Sequence, residues 1–288
     1  MEAAIVINRG KADRASVEEA LRTAGIGGEV ELVAGDRIEE FVRSHVEGGA
    51  RLIIVGGGDG SVGAAASALA GSDATLGILP LGTLNHFARD LGIPFDLAAA
   101  AKVITAGTMR RVDIADVNGR AFVNNASIGL YPLMVMDRDA QQQRFGRSKR
   151  LAMLVAALRT MTRFHARRLR LRANGGEARV DTPLLFVGNN DYRLAFPGAG
   201  RREALDDGQL CVMVMRSKSL PGFLAATARA LLGIGRADDM VRLDGVRELE
   251  VDSSRGLLTV ALDGETLHLA PPLAFRIRPR ALAVIVPN

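Results

Sequence analysis

The sequence predicts an α/β N-terminal domain with a parallel sheet, then a β-rich antiparallel C-terminal domain, with the active site in the interdomain cleft. Three observations carry this prediction. The first third alternates apolar strand-like runs with helical segments. After Met109 strand-like runs follow one another, with only two long helices between them. A cluster of four glycines closes the third strand. The expected division is 1–108 and 109–288, with the boundary near Gly107–Arg111. No linker or repeat separates the halves, so they should pack closely, and clefts between domains are favoured ligand sites.

The elements follow from the pattern in order. Ala3–Asn8 reads as a strand and Ala12–Ala24 as a helix. Gly28–Val33 is a strand and Arg37–Glu47 a helix. Leu52–Val55 is a β-branched, apolar strand followed by the Ala-rich helix Val62–Ala70. Leu76–Leu79 is a strand, with helical segments to about Thr105. Repeated βα units of this kind give a parallel sheet covered on both faces. The second part reads as strands over Arg111–Val117, Ala121–Ser127, Arg168–Ala173, Pro183–Gly188 and Gln209–Met215. A second set covers Val241–Asp252, Leu257–Asp263, Thr266–Leu269, Leu273–Ile277 and Leu282–Val286. The two helices are Arg147–Arg163 and Leu220–Leu232.

At 288 residues the chain is long enough for one large or two medium domains. A formal net charge of +5 suits an anionic partner, a nucleotide or an acidic membrane surface. Nucleic acid is not expected, because Trp is absent and no nucleic-acid-binding motif occurs. The lone Cys211 sits in an apolar run and reads as a small buried hydrophobe, so no disulfide framework forms. With no leader pattern and no apolar run of spanning length, a cytoplasmic protein is expected.

The chemistry concentrates after the third strand, in Val55-Gly-Gly-Gly-Asp-Gly-Ser61. Gly56, Gly57, Gly58 and Gly60 lack a Cβ, so their N–H groups can approach an anion and adopt φ > 0. A helix starting near Ser61 adds its positive end. Asp59 is the anomaly: a carboxylate about 4 Å from a phosphate charge costs roughly 4 kcal/mol at an effective dielectric of about 20. It belongs there if a cation lies between, or if its charge serves chemistry; the bland reading is a turn-former. No Gly-Lys-[Ser/Thr] follows, so this is not a Walker A loop, and the dinucleotide spacing is met only loosely. Pro80-Leu-Gly-Thr-Leu-Asn-His-Phe-Ala-Arg89 follows the next strand at the same sheet edge. There Gly82 ends the strand, Thr83 can cap a helix, and Asn85 supplies hydrogen bonds. His86 reads as a packed or half-exposed ring. In the first loop, Asn8-Arg-Gly-Lys11, either Arg9 or Lys11 could hold a phosphate. Asp263 and Glu265 flank Gly264. On one strand they would point the same way and call for a cation or shared proton; otherwise they are exposed acids in a turn.

Gly57-Gly-Asp-Gly-Ser61 with Pro80–Arg89 resembles the diacylglycerol kinase catalytic family, which includes bacterial lipid kinases and sphingosine kinases. Leu262-Asp-Gly-Glu265 is similar to its late acidic motif, and Leu205-Asp-Asp-Gly208 to a fourth, in the family's order. NAD kinases share the first motif; the second favours the lipid-kinase branch. The resemblance implies an ATP- and Mg2+-dependent lipid kinase. It would phosphorylate a hydroxyl of a diacylglycerol-like or sphingoid-like lipid, with peripheral contact to an acidic membrane; a homodimer is compatible.

The same resemblance implies roles for particular residues. Asp59, Asp263 and Glu265 are catalytic, with either Asp59 or Asp263 taking the hydroxyl proton. Asn8, Gly56, Gly57, Gly58, Gly60, Ser61, Gly82, Thr83, Asn85 and Arg144 bind the nucleotide. Asp207 and Asp263 hold metal. Two departures stand out: Asn8 alone matches the family's first-loop pattern, and Gly63 and Ala64 stand where many relatives carry Asn-Glu. The rival readings are an NAD kinase-like enzyme and a nucleotide- or lipid-binding regulator with impaired catalysis.

Overall fold

The computed structural model describes residues 3–11, 13–130, 132, 166–193, 201–232, 234, 236, 238–254 and 256–288. Strands β1 (Ala4–Asn8), β2 (Val30–Val33), β3 (Leu52–Gly57) and β4 (Thr75–Pro80) pair in parallel in the order β2-β1-β3-β4. Every residue of β3 is buried, as a continuous apolar run in a doubly covered sheet requires. The covering helices are α1 (Arg14–Thr23), α2 (Ile38–Glu47), α3 (Asp59–Leu69), the short α4 (His86–Asp90) and α5 (Leu97–Ala106). Asp13 caps α1 through Ser16 N–H at 3.1 Å and Asp96 caps α5 through Ala99 N–H at 2.8 Å. Because the strands run in parallel, β1, β3 and β4 all end at one edge of the sheet, at Asn8, Gly57 and Pro80.

The sheet continues into the second part of the chain. The last strand, β16 (Leu273–Val286), pairs in parallel with β4 near its C-terminus and antiparallel with β5 (Thr108–Val117) along its length. Its first half pairs with β13 (Glu248–Asp252), which leads to β8 (Arg167–Ala173) and β9 (Gly176–Thr182). A second, antiparallel sheet faces this extension in the order β12-β11-β10-β7-β14-β15. Its members are β7 (Asn125–Gly129), β10 (Leu184–Asn189), β11 (Leu210–Met215), β12 (Met240–Val246), β14 (Leu258–Leu262) and β15 (Glu265–Leu269). Phe122, Ile128, Leu185, Val212, Val260 and Phe275 lie in the core between the two sheets. Leu282, Val284 and Val286 pack instead into the core of the parallel half, so β16 ties both cores together.

The predicted architecture is present, and the differences in its elements have local causes. The expected strand 121–127 is two strands, β6 (Arg120–Phe122) and β7, because the N–H groups of Val123, Asn124 and Asn125 turn toward Asp263. The expected strand 241–252 is also two. Gly245 takes φ +66° at the corner, and β12 and β13 lie in different sheets. The expected pair 273–277 and 282–286 is one strand with a bulge between Arg278 and Leu282. There Arg280 takes φ +52° and its N–H donates to the buried Asp113 carboxylate at 2.8 Å. Strand β9 was not expected: its sequence is polar and mostly exposed, without an apolar alternation. Helix α6 (Leu220–Leu231) matches its prediction, while 147–163 lies outside the described residues.

Candidate active site

The glycine-rich turn is shaped by close packing rather than by unusual backbone angles. None of Gly56, Gly57, Gly58 or Gly60 has a positive φ, contrary to the expectation, and Gly58 itself is extended at φ −92°. What excludes a side chain is crowding. A Cβ on Gly56 would overlap Ile7, one on Gly57 would overlap Ser61, and one on Gly82 would overlap Gly58 Cα. The loops after β3 and β4 therefore touch backbone to backbone. Helix α3 starts three residues before the predicted Val62, at Asp59, with Gly58 as its N-cap and no side-chain cap. Its first intrahelical bond runs from Val62 N–H to Gly58 O at 3.1 Å, so the N–H groups of Asp59, Gly60 and Ser61 precede the ladder. They form the floor of an anion seat.

The neighbouring loops are braced onto that seat. Asn8 Nδ2 donates to Ser61 Oγ at 2.9 Å and Asn8 Oδ1 accepts from Gly10 N–H at 3.2 Å. Asn8 thus binds the first loop to the third rather than standing free. Asn85 is likewise spent inside its own loop. It is buried, in the left-handed region at φ +47°, with its amide bonded to Gly82 N–H, Gly82 O and Pro80 O. Thr83 does not cap α4. That position falls to Asn85, and the Asp59 carboxylate reaches across to accept from Phe87 N–H at 3.2 Å. Asp59 is therefore a cap for the helix after β4 as well as an acid in the turn after β3.

The acidic motif of the second half meets this seat as a turn, not as a strand face. Asp263 and Gly264 form a two-residue hairpin turn between β14 and β15, at φ +47° and +89°. This overturns the same-strand placement of Asp263 and Glu265. Asp263 Oδ2 accepts from Val123 N–H at 2.8 Å, and Oδ1 accepts from Asn124 N–H at 2.8 Å and Asn125 N–H at 3.0 Å. Burial pushes this carboxyl up to about 6, against the three amides that favour its ionised form. With three amides on its two oxygens, Asp263 is a keystone of the wall. Glu265 is the free acid: among the described residues no hydrogen bond or ion pair holds it. Its Oε1 stands 2.8 Å from where a Gly60 Cβ would be, directly over the start of α3.

A buried clasp joins the two halves behind the seat. Arg202 Nε bonds Asp90 Oδ2 of α4 at 2.8 Å, with side-chain exposures of 0% and 3%. Its other nitrogens reach Val123 O, Asn189 O and Asn124 Oδ1, and it lies over the rings of Phe87 and Tyr192.

Together these elements enclose a cleft of about 330 Å³. Of the predicted residues, Asn8, Gly58, Asp59, Gly60, Ser61, Gly82, Thr83, Asp263 and Glu265 line it. Gly56, Gly57 and Asn85 are not among the lining residues. Of the two basic candidates in the first loop, Lys11 lines the cleft, whereas Arg9 reaches Leu32 O at 3.4 Å. Asp207 is not among the lining residues. Its N–H donates to Asn190 Oδ1 at 3.0 Å, and burial with Asp191, Asp206 and Asp113 raises its pKa. Among the described residues no three acids, histidines or cysteines gather as a metal cage. Arg144 lies outside the described residues. Sequence reasoning missed Asn124 and Asn125, which line the cleft, and understated His86. Nothing in the local pattern marked the two asparagines, because their role follows from the Asp263 turn arriving from far along the chain.

Comparison with known proteins agrees with this geometry. Residues 6–117 match the family description diacylglycerol kinase catalytic domain, and residues 134–286 match the YegS C-terminal NAD kinase beta sandwich-like domain. A protein of Pseudomonas aeruginosa named probable lipid kinase YegS-like is 33% identical over 254 residues, covering 86% of this chain and 80% of that protein. The chain belongs to the lipid kinase family that carries the diacylglycerol kinase catalytic domain. A Bacillus subtilis relative in this lipid kinase family, named diacylglycerol kinase, is 28% identical over 223 residues, 76% of this chain and 73% of its own. The crystal structure of a Bacillus anthracis diacylglycerol kinase superposes with a TM-score of 0.71 at 21% identity, over 99% of this chain and 96% of that one. That likeness establishes a shared fold over nearly the whole chain.

Proposed function

We propose that this lipid kinase transfers the γ-phosphoryl group of ATP to a hydroxyl of a diacylglycerol-like or sphingoid-like lipid. The observation that carries the reading is the Glu265 carboxylate, without a partner among the described residues, poised over the N–H groups that precede the α3 ladder. An anion seat facing a free base is the pairing that phosphoryl transfer to an alcohol needs. The N–H groups of Asp59, Gly60 and Ser61 hold phosphate oxygens, and Lys11 adds charge at the mouth. Glu265 accepts the proton as the lipid oxygen attacks. Asp263 fixes the β6–β7 wall on which that encounter takes place.

The donor set fits a magnesium ion arriving with the nucleotide better than a resident one. Magnesium takes one or two carboxylates and keeps phosphate oxygens and waters, and Asp59 is the carboxylate placed to hold it. Such an ion spreads the charge of the transferring group. The acceptor is met at a bilayer surface, where the net charge of +5 favours acidic headgroups. No described helix is long and apolar enough to cross a membrane.

Transfer of labelled phosphate from ATP to dioctanoylglycerol, sphingosine and NAD in mixed micelles tests the reading. Turnover on a lipid alcohol and not on NAD is expected, with Glu265→Gln lowering kcat about a hundredfold or more. Absence of transfer to every lipid, or an unaffected Glu265→Gln variant, defeats it.

A further inference from the structure

His86 sits at the first position of α4 and lines the cleft beside Asp59 and Thr83. Its Nδ1 lies 2.8 Å from Arg89 Nη2, one turn along the same helix. A guanidinium has donors only, so Nδ1 must accept. The ring proton then resides on Nε2, which no protein group engages among the described residues. We propose that His86 is a fixed-tautomer hydrogen-bond donor that holds a phosphate oxygen in the cleft through Nε2–H, with Arg89 as the positioning residue that sets the tautomer. This deepens the kinase reading, on which it rests only for the identity of the phosphate-bearing ligand.

The physical case has three parts. The seat opposite is anionophilic: the α3 N–H groups and Lys11 face the same space. An arginine bond to Nδ1 leaves the imidazole a neutral donor, as protonating Nδ1 would drive an N–H against the guanidinium. The surroundings agree. Burial is the main cause of a lowered His86 pKa; Asp59 from α3 and Asp90 from α4 pull it up, and Arg89 and Arg202 push it down. A neutral donor is also compatible with Asp59, since it brings no positive charge that would pair with that carboxylate and displace a cation. His86 therefore contributes direction rather than charge, and its contribution should not grow as pH falls through 6.5.

Pyrophosphate is the probe, so the outcome does not depend on which nucleotide or acceptor is used. Long-range proton–nitrogen correlation spectra identify the His86 ring by its loss in His86→Gln. The expected result at pH 7 is the neutral Nε2–H tautomer, with its Nε2 resonance moving on saturation with pyrophosphate. Arg89→Leu should release the ring into a mixture of tautomers. His86→Leu should weaken pyrophosphate binding by calorimetry about tenfold, and His86→Gln, which keeps an N–H at similar reach, should recover part of that loss. An Nδ1–H tautomer in the wild type, or an Nε2 signal unmoved by bound pyrophosphate, overturns the proposal. If ATP is turned over while the His86 signal stays fixed, the donor role falls and the kinase reading stands. If pyrophosphate moves the signal but ATP neither binds nor turns over, the donor role stands and the kinase reading falls.

Discussion

Replacing Arg202 with Met should be among the most damaging single changes in this molecule. The Arg202 and Asp90 side chains are 0% and 3% exposed, so neither charge is solvated. With about 4 Å between charge centres and an effective dielectric near 20, their attraction is roughly 4 kcal/mol. The pair as a whole nets less than this, because both ions were taken out of water. Removing one partner exposes most of that penalty instead, leaving a buried carboxylate with only Arg89 Nε at 4.0 Å as counter-charge, and Asn124 Oδ1 and Asn189 O without the Arg202 donors. The expected loss is about 3–5 kcal/mol, a large share of the roughly 5–15 kcal/mol that stabilises a domain. Urea denaturation followed by circular dichroism measures it as a fall in midpoint at constant m. The double variant Arg202→Met with Asp90→Leu should be less destabilised than the sum of the singles by about 2 kcal/mol, since it strands no charge. A single-variant loss below about 1 kcal/mol, or strict additivity, would show that this pair does not clasp the two halves.

Three further expectations follow from particular contacts. Gly82→Ala forces a Cβ into Gly58 Cα and Asn85 Oδ1, so the loops after β3 and β4 must separate. Overpacking of this kind costs about 1–3 kcal/mol, and calorimetry should show at least a tenfold loss of pyrophosphate affinity; unchanged binding would mean the loop contact is dispensable. The Asp263 carboxyl is raised to about 6, so its contribution to stability is full below its ordinary value near 4 and is lost as pH rises through 6. Between pH 4 and 7 the wild type should lose on the order of 3 kcal/mol relative to Asp263→Asn, which has no such titration. Parallel stability curves for the two proteins would contradict this. Burial pushes the Cys211 thiol up to about 11, so iodoacetamide at pH 8 should modify it only in urea, and rapid labelling of the folded protein would place it elsewhere.

The sequence by itself determined the alternating strands and helices of the first part, the glycine-rich turn after β3 and the β-rich second part. Those are local or periodic properties. A β-branched run ending in glycines must finish a buried strand, and alternating strands and helices leave few topologies. It did not mark strand β9, because that polar segment gave no apolar pattern to read. Only the tertiary structure decided what each polar group does. Asp59, Asn8 and Asn85 look alike in sequence as ligand-facing groups, yet their partners at Phe87, Ser61 and Gly82 make them braces. Asp263 and Glu265 are separated by one glycine, yet one carboxylate is held by three amides about 140 residues earlier and the other has no partner among the described residues. Hydrogen bonds satisfy whichever donors the fold brings within about 3 Å. Chain separation does not encode that proximity, so side-chain chemistry is written in the sequence as capacity and assigned only when distant strands meet.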